Sequence, residues 1–363
     1  MKRAWMRWLP AALVPVAFTA AALAGSYQAG AATSLSHKSP AEVIAMIGHA
    51  NVQALSGTLQ QTSDLGLPSL PTTGPAATQG PASTLELLTG SHTARVYMDG
   101  PSKARFQVMD LLAERDLVRN GNDVWLYNSA DNSAAHVTLP VRQSAERALP
   151  SAPATPGMTT PEALAQRFLA AVEPSTDVTV GDGTMVAGRT AYPLVITPKS
   201  NGTLVDSVTI AVDSATGLPL SVDVRARGQA ASAFSLAFTD VNLSAPDVGL
   251  FAFTPPPGAA VEQKSIPAAP GQEARPMVPG ASGKALPVHP TITGSGWDAV
   301  MAFPAGAMPS QARTAPLLSQ LTQAVPGGRA LTTSLVTVLM LDDGRVFAGM
   351  VPLERLQAVA AAK

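Results

Sequence analysis

Apolar and polar residues alternate with a period of two along most of this chain, interrupted by a few short stretches of helical period. In Thr93-Ala-Arg-Val-Tyr-Met-Asp, Ala94, Val96 and Met98 share one face, with Arg95, Tyr97 and Asp99 on the other. Asp99-Gly-Pro reads as a turn, and Phe106 and Val108 carry the apolar face into the next strand. Asn120-Gly-Asn-Asp is a second turn, followed by Val124-Trp-Leu-Tyr. Further strands are predicted at 176–187, 191–198, 203–213, 218–227 and 233–243, with Gly or Asn turns between them. Val208, Ile210 and Val212 alternate with polar or small residues, and so do Phe234, Leu236 and Phe238. Strands so evenly spaced predict one continuous antiparallel meander.

Helical signals are few. Pro40–Gly48 carries an apolar stripe of Val43, Ile44 and Ile47, with Ser39 as N-cap and Pro40 at the first helical position. Ser83-Thr-Leu-Glu-Leu-Leu has the spacing of a capping box, and Pro161–Val172 follows Thr160 as its cap. Residues 64–82 read as a loop and 140–158 as a proline-bearing linker. Phe251-Ala-Phe-Thr-Pro-Pro-Pro-Gly is expected to end the sheet, because three prolines cannot continue a ladder. Residues 262–288 then read as a Pro/Ala/Gly-rich linker. A small α+β module over 289–363 is expected to hold a strand near Ser295–Phe303, a helix over Ala315–Gln323 and a hairpin of Ser334–Leu341 with Val346–Pro352. Asp342-Asp-Gly-Arg supplies the hairpin turn, and a short helix follows from Leu353.

Composition narrows the function. Apolar residues make up 46% and charged residues only 13%. The net charge of −1 comes with no basic run beyond the extreme N-terminus, which argues against a nucleic-acid partner. The absence of cysteine excludes disulfides, thiolate metal sites, cysteine nucleophiles and a lipid anchor on cysteine. Lys2, Arg3 and Arg7 precede a 16-residue apolar stretch, Leu9 to Ala24, that contains Pro10 and Pro15. Ala22-Leu23-Ala24 and Ala29-Gly30-Ala31 are candidate cleavage sites, so residues 1–32 are expected to be a signal peptide. The alternative is an uncleaved anchor, for which the stretch falls short of the ~20 residues a spanning helix needs. Either outcome places the remaining chain outside the cytoplasm.

Catalytic patterns are not found. His37, His49, His92, His136 and His289 show no i, i+4 pair, and no G-x-S-x-G elbow occurs. Gly280-Ala-Ser-Gly-Lys is too short for a phosphate loop, and Asp342-Asp343 fits a hairpin turn. The expectation is a binding protein rather than an enzyme, with no cofactor and no metal.

Several segments, in order over some 220 residues, carry a resemblance. They are Leu55-Ser-Gly-Thr, Asp64-Leu-Gly-Leu-Pro-Ser-Leu, Gly90-Ser-His-Thr-Ala-Arg-Val with Asp99-Gly-Pro, Asn120-Gly-Asn-Asp-Val-Trp-Leu-Tyr-Asn-Ser, Ala211-Val-Asp-Ser-Ala-Thr-Gly-Leu-Pro-Leu and Phe251-Ala-Phe-Thr-Pro-Pro-Pro-Gly-Ala. From 39 to 261 the chain resembles the LolA-like lipoprotein-carrier superfamily, in particular its actinobacterial-type members. That resemblance implies an unclosed, strongly curved antiparallel β-barrel, mainly β within the α+β class, with short helices over its concave side. It also implies an apolar cavity for an acyl lipid or lipoprotein. The expected lining is Leu59, Val96, Met98, Phe106, Val108, Trp125, Ile210, Val222, Phe234, Leu236 and Phe238. An inward apolar face is equally what core packing requires. A carrier-like domain followed by a smaller module is also the layout of RseB-like envelope-stress regulators, which restrain cleavage of a membrane-bound anti-sigma factor. The alternative to a lipid carrier is therefore a sensor that binds a membrane protein.

Overall fold

A computed structural model describes residues 35–67, 90–109, 113–139, 160–170, 175–265, 290–307 and 316–362. The expectations for residues 1–32, for the segment 83–88 and for the linker 140–158 lie outside these residues, as do most of 64–82 and of 262–288.

Ser39 opens α1 (Pro40–Gly48) through a full capping box: its side chain accepts from the Glu42 amide while Glu42 reaches back to the Ser39 amide, 2.7 Å away. Val43 and Ile47, one turn apart, are buried. The strands of the large sheet are β1 (Ala54–Ser63), β2 (Gly90–Asp99), β3 (Lys103–Met109), β4 (Glu114–Asn120), β5 (Asp123–Asn128) and β6 (Ser133–Thr138). After α2 (Pro161–Ala170) come β7 (Thr176–Val180), β8 (Thr184–Val186), β9 (Arg189–Pro198), β10 (Val205–Asp213), β11 (Pro219–Ala226), β12 (Ser232–Asn242) and β13 (Ala260–Ser265). Their order is β13-β6-β5-β4-β3-β2-β1-β12-β11-β10-β9-β7, with β8 also on β9, so the described sheet does not close on itself. All pairings are antiparallel except β13 on β6. The molecule is mainly β, as the alternation predicts.

The large sheet differs from the sequence reading in two places. The strand expected at 176–187 is two strands, β7 and β8, because the chain turns at Gly181-Asp-Gly. The prolines at 255–257 do not end the sheet. They carry the chain across its face to the edge strand β6, and the ladder resumes at Ala260. Residues 262–265, the start of the expected linker, are therefore strand.

The Asp213–Leu218 turn shows why its sequence is specific. Asp213, nearly fully buried, receives Arg189 through two bonds of 2.8 Å and Thr216 through its amide and hydroxyl. Burial alone pushes this carboxyl up, but Arg189 and Thr216 outweigh it and hold it below the usual range. Gly217 has φ +75°, and a Cβ there would stand 2.2 Å from the Met46 carbonyl oxygen. The turn is thereby wedged beneath the end of α1.

A second sheet of six strands is built from β14 (Thr291–Thr293), β15 (Val300–Phe303), β16 (Gln323–Val325), β17 (Gly328–Thr332), β18 (Thr337–Leu341) and β19 (Val346–Gly349), in the order β14-β15-β19-β18-β17-β16. Helix α3 (Pro316–Leu321) leads into β16, and α4 (Leu353–Ala361) packs on β18 and β19. Val300, Leu339, Phe347 and Val351 pack against Leu356, Val359 and Ala360 of α4. The β16–β17 hairpin was not anticipated, because strands this short show little alternation. The strand expected at Ser295–Phe303 begins instead with a 3-10 turn, Gly296–Asp298, that buries Trp297.

Trp297 joins the two sheets. It packs with Val43, Ile47, Leu194, Ile196 and Ile210 of the large sheet's core, and its Nε1 donates to Thr176 Oγ1 at 3.0 Å. The Leu204 amide and the Thr203 hydroxyl both donate to the Met350 carbonyl, at 2.8 and 2.7 Å. The modules thus share a core.

Candidate functional site: an apolar sheet face

The face of the large sheet that carries α1 and α2 is called the inner face below. Residues directly opposite across a ladder point to the same side, so the registers define its rows. One row runs Val241, Gly57, Val96, Phe106, Leu117, Leu126, Ala135. Beside it lies Phe238, Leu59, Ala94, Val108, and on its other flank Leu55, Met98, Ala104, Arg119, Val124, Val137. Toward the far edge run Leu236, Val222, Ile210, Leu194 and, parallel to it, Phe234, Val224, Val208, Ile196. Gly57 sits where the β1–β12 register slips. A Cβ there would meet Asp240 O at 2.6 Å and the Phe238 ring at 2.9 Å, so only glycine allows this approach.

Ten of the eleven expected lining residues lie on this face, but most of them are packed away. Ile210 and Val222 belong to the core beneath α1 and Trp297. Leu59, Val96, Leu236 and Phe238 form a second buried cluster, and Val108 is equally buried. Met98, Phe106 and Phe234 are half-buried at the border of these clusters. Trp125 requires correction: its row is Val118, Trp125, His136, Gln263, on the opposite face. The alternation in Val124-Trp-Leu-Tyr does not reveal this, because β5 is apolar on both sides. The inward residues are Val124 and Leu126, which the sequence reading missed together with Leu117, Ala135 and Val137. Of these five, all but Leu117 are half-buried, and none joins either core cluster.

The opposite face explains why β5 is apolar twice. After β12 the chain returns over β3–β6, with a 3-10 turn at Val248–Phe251 whose Phe251 is buried. Phe253 meets Trp125 and Tyr127 at ring-centre distances of 5.5 and 5.7 Å, and Trp125 stacks on His136 at 4.2 Å. His136 also contacts Asp123 Oδ1 at 2.9 Å and, across to β13, Gln263 at 2.8 Å. Under this strap Arg105 Nη2 donates to Asp116 at 2.6 Å. Asp116 Oδ1 and Arg105 Nε are both buried without a partner. Burial pushes the Asp116 carboxyl up to about 6, against the pull of Arg105 and with a small push from Glu114.

That shift has a sign. The folded chain binds this proton more tightly than the unfolded one, so stability from this group is greatest at acid pH and is lost as pH rises from about 4 through about 6. Asp116→Asn is expected to remove that component, on the order of 2 kcal/mol. The check is the wild-type-minus-variant difference in urea stability at pH 4.5 and 7.5. A difference that does not change with pH would contradict it.

Among the described residues, no cluster of three His, Asp or Glu could hold a metal ion. No described helix is long and apolar enough to cross a membrane. A shallow concavity of about 520 Å³ at the module junction is lined by Gly202, Asp298, Pro352, Glu354 and Arg355, three of them charged. It is a poor match for an acyl chain.

No family model matches the chain, and no curated protein sequence does. Among solved structures, the chain is similar to one from the Pseudomonas aeruginosa MucA/MucB complex, at 16% identity over 88% of this chain and 96% of that one, with a TM-score of 0.43. It is similar to MucB solved separately at 18% identity over 89% and 96%, TM-score 0.41. A LolA-superfamily protein from Nitrosomonas europaea matches at 8% identity over 60% of this chain and 99% of its own, TM-score 0.24. Likenesses so distant transfer neither a ligand nor a partner, and the fold rests on the chain's own ladders.

Proposed function

We propose that this protein is an extracytoplasmic carrier-type binding protein that takes the acyl chain of a lipid or lipoprotein onto the inner face of β2–β6. One observation carries the reading: Met98, Phe106, Val124, Leu126 and Val137 form a half-buried, mostly apolar surface that Arg119 also borders, while the opposite face of the same strands is closed by the strap. Each methylene removed from water contributes roughly 0.8 kcal/mol, so a long chain half-covered by this surface gains several kcal/mol without a charged clamp. The low charge of the protein suits such a ligand.

The test is organic extraction and mass spectrometry of protein purified from a lipid-containing host. A stoichiometric acyl species is expected, and Leu126→Glu is expected to lower its load at least tenfold with folding retained, because position 126 is half-exposed. A folded Leu126→Glu variant with full load would overturn the reading.

A second reading, capture of a membrane-protein partner, draws on the small sheet. Its face away from α4 bears a stripe of Ile292, Met301, Ala348, Val338 and Leu331, in register across five strands. Ile292 is 63% and Met301 41% exposed. Protein recovered free of any acyl species would move the assignment to this surface.

A further inference from the structure

Two half-buried arginines of the large sheet, Arg105 and Arg189, each meet an aspartate, at 2.6 and 2.8 Å. Arg119, equally half-buried, meets none among the described residues. It lies on the inner face at the turn end of β4. Its neighbours on that face are Ala104 and Val124 directly opposite, Phe106 and Leu126 on the diagonals, and Leu117 two residues back. None of them is charged. The acids level with it, Asp99 and Asp123, belong to the opposite face, where Lys103 and His136 contact them at 2.8 and 2.9 Å.

The guanidinium is nevertheless fixed in place. Arg119 Nε donates to Gly121 O at 3.1 Å. The turn that carries this carbonyl is pinned from both sides, by the Gly121 amide donating to Ser102 O and the Leu139 amide donating to Asn122 O, each at 2.8 Å. Both Nη atoms are left without a partner among the described residues. They form a planar pair of donors, the geometry that takes the two oxygens of a carboxylate. Partial burial among apolar side chains weakens the screening by water, so a charge placed there is attracted more strongly than at an open surface.

We propose that Arg119 receives the carboxylate of a fatty acid whose hydrocarbon lies on the adjoining apolar surface of Phe106, Val124, Leu126 and Val137. This names the ligand class of the acyl-binding reading above and rests on it. The hydrocarbon supplies most of the affinity, and Arg119 selects the headgroup. One guanidinium on an otherwise apolar patch balances the single charge of a carboxylate, whereas a phosphate monoester brings about 1.5 to 2 charges. The position of Arg119 beside the exposed Asn120 keeps the headgroup at the rim, next to water, with the chain directed inward.

The experiment uses the full-length chain, delipidated, with two probes: a fatty acid dansylated at its far end, carboxylate free, and its methyl ester. Wild type is expected to bind the acid about tenfold more tightly than the ester. Arg119→Gln should lose about that factor for the acid and nothing for the ester. Arg119→Lys keeps the charge without the Nε bond and should still prefer the acid. Equal wild-type affinity for the two probes would overturn Arg119 as receptor and leave the binding reading standing. Equal losses for both probes in Arg119→Gln would do the same, because an arginine that only pins the turn acts on both alike. Displacement of the acid by lysophosphatidylglycerol at a lower concentration than by unlabelled fatty acid would overturn the carboxylate. Failure of wild type to bind either probe would overturn this inference and the binding reading together. The wild-type ratio of acid to ester affinity decides the matter even if Arg119→Gln folds poorly.

Discussion

Trp297→Ala is expected to cost about 3–5 kcal/mol of folding stability, the range for removing a fully buried large aromatic. Trp297 is 3% exposed and stands among side chains of α1, β9 and β10, although it belongs to the second module. The change would leave a cavity under Val43 and Ile47 and strand the Thr176 hydroxyl, which is itself buried. Since the core is shared, the loss should reach both sheets. Urea unfolding followed by far-ultraviolet circular dichroism and by the fluorescence of Trp125 should shift to lower denaturant. A loss below about 1 kcal/mol would mean that the modules merely touch. Deletion of the second module is a poor test of its role, because a chain cut before 290 would expose the floor on which Trp297 rests.

Val96→Glu is expected to be at least as damaging, and in a pH-dependent way. Val96 has no exposed surface and lies between Gly57 and Phe106 in the middle of the inner face. An ionised carboxylate there has no partner and would cost several kcal/mol beyond the lost packing, unless it takes up a proton. The variant should be largely unfolded at pH 8 and regain structure toward pH 5, since a buried neutral acid costs far less than a buried charge. Circular dichroism at the two pH values checks this. A variant stable at pH 8 would show that the site admits water. Leu236→Glu should behave alike, at 3% exposure. Loss of lipid from either variant would therefore report unfolding, and this is why the half-exposed Leu126 is the informative position.

Much of the architecture is legible in the sequence, and the reasons for the misses are physical. Strands such as β10 and β12 pack one face on a core and alternate cleanly, so Ile210 and Leu236 can be assigned to a side from period alone. In β5 both faces are apolar, one under the strap and one on the inner surface, and the period no longer says which side Trp125 takes. Its orientation follows from pairing with His136, which in turn pairs with Gln263, and no local pattern records that partner 127 residues further along the chain. The same holds for β13, which a reader of three consecutive prolines would end before it begins. The candidate site is less legible than the fold. A row of alternating apolar residues looks the same whether a helix, a second module or a ligand covers it, and only the burial pattern separates Val96 from Leu126. The hydrogen bonds of Ser334 to Leu65 and Asp64, which tie the second module to the end of β1, could not be anticipated, since both acceptors are backbone carbonyls.

The ladder between β1 and β12 has a consequence for the time course of folding. Leu59 pairs with Phe238, whereas β2 through β6 are joined to one another as successive hairpins. The neighbour hairpins need only short loop closures and can form on a microsecond scale. Joining β1 to β12 requires bringing together segments some 180 residues apart, and such distant pairings slow folding. Until that closure, Leu59 and Val96 lack the Phe238 and Leu236 side chains that bury them. Folding should therefore pass through a species with an uncovered apolar sheet, and its tendency to aggregate should scale with concentration during refolding.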